Sequence, residues 1–304
     1  MNLFDLSVNI GELKLPNPIM NASGCFDPEQ MCRVCGMDLS RLGALVSKGT
    51  TLEPRSGNPQ PRIKETPSGM INFIGLENPG VEALIKDKLP FMSQFSRPII
   101  VNVSGFKIQE YVEITEKLES SPYVKALEIN ISCPNVEGGR IPFGSDPLIA
   151  ANVVRAVRKV TNLPLIVKLT PNVTDIVPIA KAVVDVGADA ISMINTVRSV
   201  FDHKGKIVQG GLSGPAIKPI ARGLINQVAQ AVSVPIIGMG GITTLQDVFD
   251  FFKVGATAVA IGTANFKNPL VLMELIDQLE KYCVEYGLAN IGQVKEKIKG
   301  GKGA

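Results

Sequence analysis

Eight short runs of Val, Ile, Leu and Ala, separated by longer helical patterns, constrain the fold of this chain more than any other feature. They cover residues 19–23, 44–47, 99–103, 126–131, 165–169, 190–194, 236–239 and 258–261. Most are apolar without alternation, as strands covered on both faces are. A polar residue or a glycine follows nearly every one. Helix starts lie between them: Asp146 and Asn268 each precede a proline, and Thr174-Asp175 and Thr243-Thr244 are further capping candidates. The segment 146–161 carries Ile149, Val153, Val157 and Val160 at helical spacing and ends on basic residues. Eight strands alternating with helices point to one (β/α)8 barrel domain over residues 1–304, with a doubly wound open sheet as the alternative. Segment 7–15 alternates about Gly11 and reads as a hairpin ahead of the barrel. Segment 50–80 holds Pro54, Pro59, Pro61, Pro67 and Pro79 and is too long for a plain loop. It reads as an inserted loop region over the C-terminal face of the barrel.

The bulk properties exclude several classes. A 45% apolar, 19% charged chain can build a large core, and a net charge of +3 gives no footprint for nucleic acid. The N-terminus lacks a signal-peptide layout, and no apolar run reaches the ~18 residues of a membrane span. The chain therefore reads as cytoplasmic, with no membrane partner. The basic tail, 295–302, reads as a solvated segment. Five cysteines, an odd number, argue against a disulfide framework. Cys25, Cys32 and Cys35 have no evident fourth ligand, and His203 is the only histidine, so no metal is expected.

Chemistry concentrates where the strands end. The run at 126–131 leads into Asn130, Ser132, Cys133 and Asn135, a thiol flanked by carboxamides and followed by a glycine-rich stretch. Carboxamides can donate to and accept from a flat polar ligand, and a thiol can move a proton; the plain alternative is an inert buried cysteine. In a barrel such termini meet at one face. Lys48, Asn72, Asn102, Asn130, Cys133, Asn135, Lys168, Asn195 and Thr196 would then line one pocket, rich in carboxamides and almost free of carboxylates. Segment 134–144 reads as a mobile lid. Glycines after the last two strands (Gly240, Gly241, Gly262) and Gly214 ahead of a helix suit a phosphate. No G-x-G-x-x-G follows a strand, so a mononucleotide such as FMN fits better than a dinucleotide.

Taken as a set, the segments 21–24, 47–51, 57–62, 72–80, 130–135, 167–169, 211–219, 240–241 and 262–263 resemble the dihydroorotate dehydrogenases of class 1, and within them the 1B type. The resemblance runs from about residue 3 to 285. It implies an FMN barrel that oxidises (S)-dihydroorotate to orotate in de novo pyrimidine (UMP) biosynthesis. Cys133 would be the base at C5, while a hydride leaves C6 for the flavin N5. Lys48, Asn72, Ile74, Gly75, Leu76, Asn130, Asn135, Asn195 and Thr196 match substrate positions. Ala22, Ser23, Gly24, Lys48, Asn102, Asn130, Lys168, Gly214, Gly240, Gly241, Gly262 and Thr263 match flavin positions. The resemblance further implies a homodimer core and a partner subunit with FAD and a 2Fe–2S cluster that passes electrons to NAD, in a heterotetramer. The alternatives are a fumarate-linked 1A enzyme, a related FMN barrel that reduces another pyrimidine, and a non-catalytic barrel that binds a phosphorylated ligand or a partner protein.

Overall fold

The computed structural model describes residues 4–132, 134–135 and 141–300, with 134, 135 and 141 as backbone only. All eight apolar runs form strands of a single parallel sheet: β1 (Ile19–Asn21), β2 (Leu45–Val46), β3 (Ile99–Val103), β4 (Val124–Asn130), β5 (Leu165–Lys168), β6 (Ala190–Met193), β7 (Ile236–Gly238) and β8 (Ala258–Ile261). Their order around the sheet is β1-β8-β7-β6-β5-β4-β3-β2. The seam between β1 and β2 is closed by a side chain. Asn21 donates from Nδ2 to the Val46 carbonyl (2.7 Å) and accepts the Val46 N–H on Oδ1 (2.9 Å). Gly43 N–H donates to the Ile19 carbonyl (2.8 Å). A carboxamide thus stands in for a missing stretch of backbone ladder, and the barrel rather than the open sheet is the fold.

The strands alternate between two cores. Ile99, Val101 and Val103 of β3, with Leu127, Ile129, Leu165, Val167, Val259 and Ile261, face outward onto the helices. Met20, Ala44, Val46, Ile100, Ala126, Ile166, Ala190, Ile237, Ala258 and Ala260 fill the barrel interior. The expected hairpin is present as Val8–Ile10 paired with Leu13–Leu15, turning at Gly11. Its Val8, Ile10, Leu13 and Leu15 join the interior cluster and plug it from below. At roughly 1.5–3 kcal/mol for each fully buried aliphatic side chain, these four account for why the hairpin stays docked.

Capping follows the sequence in part. Asp146 caps the helix Pro147–Arg158 by accepting the Ile149 N–H (2.9 Å), and Thr244 forms a capping box with Asp247 at the start of Leu245–Lys253. Two other expected starts move. The helix after Asn268 begins only at Val271, because Asn268 instead ends the short helix Ala264–Lys267. The helix after Thr174 begins at Val177, whose N–H Asp175 accepts (3.0 Å) without being the cap residue. The basic tail is not simply solvated either: Ile291–Gly300 is a helix that buries Val294 and Ile298, four residues apart on one face.

Two excursions rise from the C-terminal ends of the barrel strands. Segment 50–80 contains the hairpin Ile63–Thr66/Gly69–Asn72. A second hairpin, Val197–His203/Lys206–Ser213, follows β6; it was not expected. The two join as one four-stranded antiparallel sheet in which Asn72 pairs with Gly211 and Met70 with Ser213. The second hairpin turns at Lys204 (φ +51°) and Gly205 (φ +75°), the left-handed pair that a tight two-residue turn requires. Among the described residues no helix is long and apolar enough to cross a membrane.

Candidate active site

Strand register builds the floor of the site. Parallel pairing sets Asn102 beside Glu128, and Lys168 beside both Asn130 and Ser192. On β4 the inward positions run Ala126, Glu128, Asn130, so apolar packing gives way to polar groups within one strand. Glu128 is 3% exposed, Lys168 5%, and Asn102 and Ser192 are fully buried. The Glu128 carboxylate accepts from Asn102 Nδ2 on one oxygen and from Ser192 Oγ (2.7 Å) on the other. Lys168 Nζ lies 3.7 Å from Glu128 Oε2 and donates to Ser23 Oγ at 2.7 Å. Ser47 Oγ accepts the Asn102 N–H (3.0 Å), which ties β2 to the same floor.

The pocket was expected to be almost free of carboxylates, and the structure places two there. Glu128 pairs with Lys168 inside the barrel. Glu77, on the excursion after β2, takes Lys48 Nζ on Oε2 (3.1 Å) and Arg62 Nη2 on Oε1 (2.8 Å). The hydrogen bond from Arg62, and then that from Lys48, holds the Glu77 carboxyl below its ordinary value. Both lysines therefore have a counter-charge. Glu128 was legible in principle, since it shares the period-two face of β4 with Asn130; Glu77 carried no local signal.

Carboxamides form the rim. Asn130 accepts the Ser132 N–H (3.2 Å), and Asn195 Nδ2 donates to Ser132 Oγ (2.9 Å), which links the ends of β4 and β6. From below, Tyr111 OH donates to the Asn130 carbonyl (2.7 Å). Asn72 Nδ2 donates to the Gly211 carbonyl (3.3 Å). Thr196 packs on Gly211 so closely that a Cβ there would lie 2.1 Å from its Oγ1. Asn172, missed in the sequence, braces this edge by donating to the Thr196 carbonyl (3.0 Å) and accepting the Arg198 N–H (2.7 Å). Ile74, Gly75 and Leu76 follow Asn72 on the excursion. Gly75 (φ +77°) and Leu76 (φ +57°) form a left-handed pair, and Asn58 N–H bonds the Ile74 carbonyl (2.8 Å). The backbone at Pro134–Asn135 pairs with Ile141–Pro142. Cys133 and the middle of the expected lid, 136–140, lie outside the described residues, as does the Asn135 side chain.

Glycine loops complete the opposite edge. Ala22, Ser23 and Gly24 follow β1, Gly240 and Gly241 follow β7, and Gly262 and Thr263 follow β8. Gly241 (φ +79°) comes so near Gly214 that a Cβ would lie 2.6 Å from the Gly214 carbonyl. Thr263 Oγ1 donates to Ser213 Oγ (2.8 Å). Asp247, a further residue not foreseen, organises this edge. It accepts the Thr243 N–H (2.9 Å), the Thr243 hydroxyl (2.9 Å) and Lys218 Nζ (2.5 Å), so the loop after β7 is tied to the helix after Gly214. Burial raises the Asp247 carboxyl, but Lys218 and Thr243 outweigh it and hold it below its ordinary value. Among the described residues, the backbone N–H groups of Gly240, Gly241 and Gly262 have no protein acceptor. Close glycines with free N–H donors after strands seven and eight fit a phosphate. The donor-rich floor beside them fits a polar planar ring, so the residues present suit FMN.

Another thiol lies at this edge. Cys25 packs beside Gly262, and burial raises its pKa with only partial offset from Lys168, so it is a poor base. Cys32 and Cys35 are free thiols. Among the described residues no group of His, Cys, Asp and Glu is arranged to hold a metal ion.

Known proteins are similar to this chain in sequence. Residues 5–283 match the family model described as dihydroorotate dehydrogenase. A protein of Anoxybacillus flavithermus named dihydroorotate dehydrogenase B (NAD(+)), catalytic subunit, is 52% identical over 95% of this chain and 94% of its own length. Proteins of the same name from Geobacillus kaustophilus (50% identical; 95% of this chain, 94% of that one) and Alkaliphilus oremlandii (50%; 97% and 99%) are similar along nearly their whole length.

Proposed function

Because the chain belongs to the dihydroorotate dehydrogenase family, we propose that it is the FMN-bearing catalytic subunit of an NAD-linked enzyme. It oxidises (S)-dihydroorotate to orotate in the de novo route to UMP. The observation that carries this reading is the layered site: a buried floor of Asn102, Glu128, Lys168 and Ser192 between a carboxamide rim and free glycine N–H donors.

Ala22, Ser23, Gly24, Lys48, Asn102, Asn130 and Lys168 would hold the flavin ring, with Gly214, Gly240, Gly241, Gly262 and Thr263 on its phosphate. When bound, FMN supplies the acceptor for the hydride that leaves C6. Cys133 Sγ takes the proton from C5, so one carbon loses a hydride, its neighbour a proton, and a C=C bond forms. Asn72, Asn130, Asn135, Asn195 and Thr196 orient the substrate's amides, with Ile74, Gly75 and Leu76 beside them. Lys48 offers a cation to the substrate carboxylate, which then competes with Glu77. An ordinary thiol titrates at roughly 8.5, so the half-reaction should quicken as pH rises through that region. Electrons leave through a partner subunit carrying FAD and a 2Fe–2S cluster, on a homodimer core, in the cytoplasm.

The test is an anaerobic absorbance spectrum of the purified chain before and after dihydroorotate. Bleaching of a yellow flavin band, lost in Cys133→Ala while FMN stays bound, is the expected result. A yellow protein that dihydroorotate leaves oxidised would overturn the substrate, and rapid bleaching of Cys133→Ala would overturn the base. NADH formation only with the partner present supports NAD as acceptor; turnover of fumarate by the chain alone would refute it.

A further inference from the structure

A carboxylate inside the barrel, one step above the apolar plug, demands a reason. Ala126 lies below Glu128 on the same strand face, and a well-packed apolar residue commonly serves stability at least as well as a buried charge. Its surroundings distinguish it from a simple salt bridge. Both oxygens are hydrogen-bonded, one to Asn102 and one to Ser192, so the carboxylate is fixed from β3 beside it and from β6 two strands away. Lys168 Nζ stands 3.7 Å away, close enough for strong Coulomb attraction but beyond hydrogen-bond reach. The ammonium donates to Ser23 instead, at 2.7 Å. Glu128 therefore compensates the Lys168 charge without using one of its three donors.

We propose that Glu128 is a positioning residue that sets how strongly Lys168 favours negative charge on the ligand above it. This rests on the reading of that ligand as FMN. With Glu128 ionised, the floor carries a paired, nearly neutral charge and leaves Lys168 donors free to point up. Without it, the floor is an uncompensated cation in a site shielded from water, and the reduced, more negative flavin gains relative to the oxidised one.

Glu128→Gln removes the charge and keeps the shape: its carbonyl oxygen can accept from Asn102 and its amide can donate to Ser192. The readouts are the flavin midpoint potential and the affinity for sulfite, which adds to oxidised flavin and leaves negative charge on the ring. Sulfite should bind about tenfold tighter, and the potential should rise by about 30 mV for a two-electron couple. Ser192→Ala, which loses a hydrogen bond but no charge, should leave both within twofold of wild type. Glu128→Asp keeps the charge but draws it back from Lys168 and should shift both the same way by less; it carries the test if Glu128→Gln does not fold. Unchanged potential and sulfite affinity in a yellow Glu128→Gln would overturn the proposal while leaving FMN in place, as would an equal shift in Ser192→Ala. A wild-type chain that binds no FMN would overturn both readings.

Discussion

Replacing Asn21 with Ala tests how the barrel closes. Asn21 is fully buried, and its carboxamide is the hydrogen-bond partner of both the N–H and the C=O of Val46 across the β1–β2 seam. Alanine removes both partners at once and leaves two buried backbone groups unpaired, each at a cost of about 1–3 kcal/mol. A water taking the place of the removed carboxamide would bridge the two groups, which pulls the sum toward its lower end. A loss of about 2–4 kcal/mol follows, or roughly 2–4 °C of melting temperature per kcal/mol in a domain of this size class. Because the chain has no Trp, unfolding in urea is best followed by far-UV circular dichroism. Asn21→Asp makes the argument sharper. It keeps the acceptor for Val46 N–H but turns a second oxygen toward the Val46 carbonyl, so it should be no less damaging than alanine. A loss below about 1 kcal/mol for alanine, with an unchanged urea dependence, would refute the idea that this side chain substitutes for a ladder.

Two further outcomes are expected. Gly211→Ala forces Thr196 off its place, since the new Cβ would lie 2.1 Å from Thr196 Oγ1. The KM for dihydroorotate should rise at least tenfold with FMN retained, and an unchanged KM would remove Thr196 from the substrate pocket. Lys295 lies over Phe252 and donates to the Thr257 carbonyl (3.1 Å), and burial, then the charge of Lys299, lowers its pKa to about 8. From about pH 8 up to the unfolded value near 10.4, the unfolded chain holds a proton that the folded chain does not, so stability should rise with pH across that window. Lys295→Met should raise stability at about pH 7 by roughly 1–2 kcal/mol, allowing for partial solvent access, and abolish the rise. A wild-type melting temperature that stays flat from about pH 8 to 10 would refute this.

The sequence by itself determined the eight parallel strands, because strands buried on both faces must be nearly all apolar; closure of their sheet into a barrel rather than an open sheet was decided only at the Asn21–Val46 seam. It also determined which chain segments end at the working face, since a strand that stops at Asn130, Lys168 or Gly238 carries its own terminus in its composition. Local patterning reached as far as the caps at Asp146 and Thr244, where partner and acceptor lie within four residues. The hairpin at Val197–His203 was within reach of the same reasoning, through its Lys204-Gly205 turn. Tertiary structure alone decided the pairings between distant strands. Glu77 meets Lys48 across 29 residues, Ser192 meets Glu128 across 64, and Lys168 meets Ser23 across 145. The first depends on the path of the excursion after β2 and the other two on strand register and barrel closure, rather than on neighbours in the chain. For that reason the pocket, which reads as a cluster of free lysines and carboxamides in sequence, is a set of compensated charges once folded.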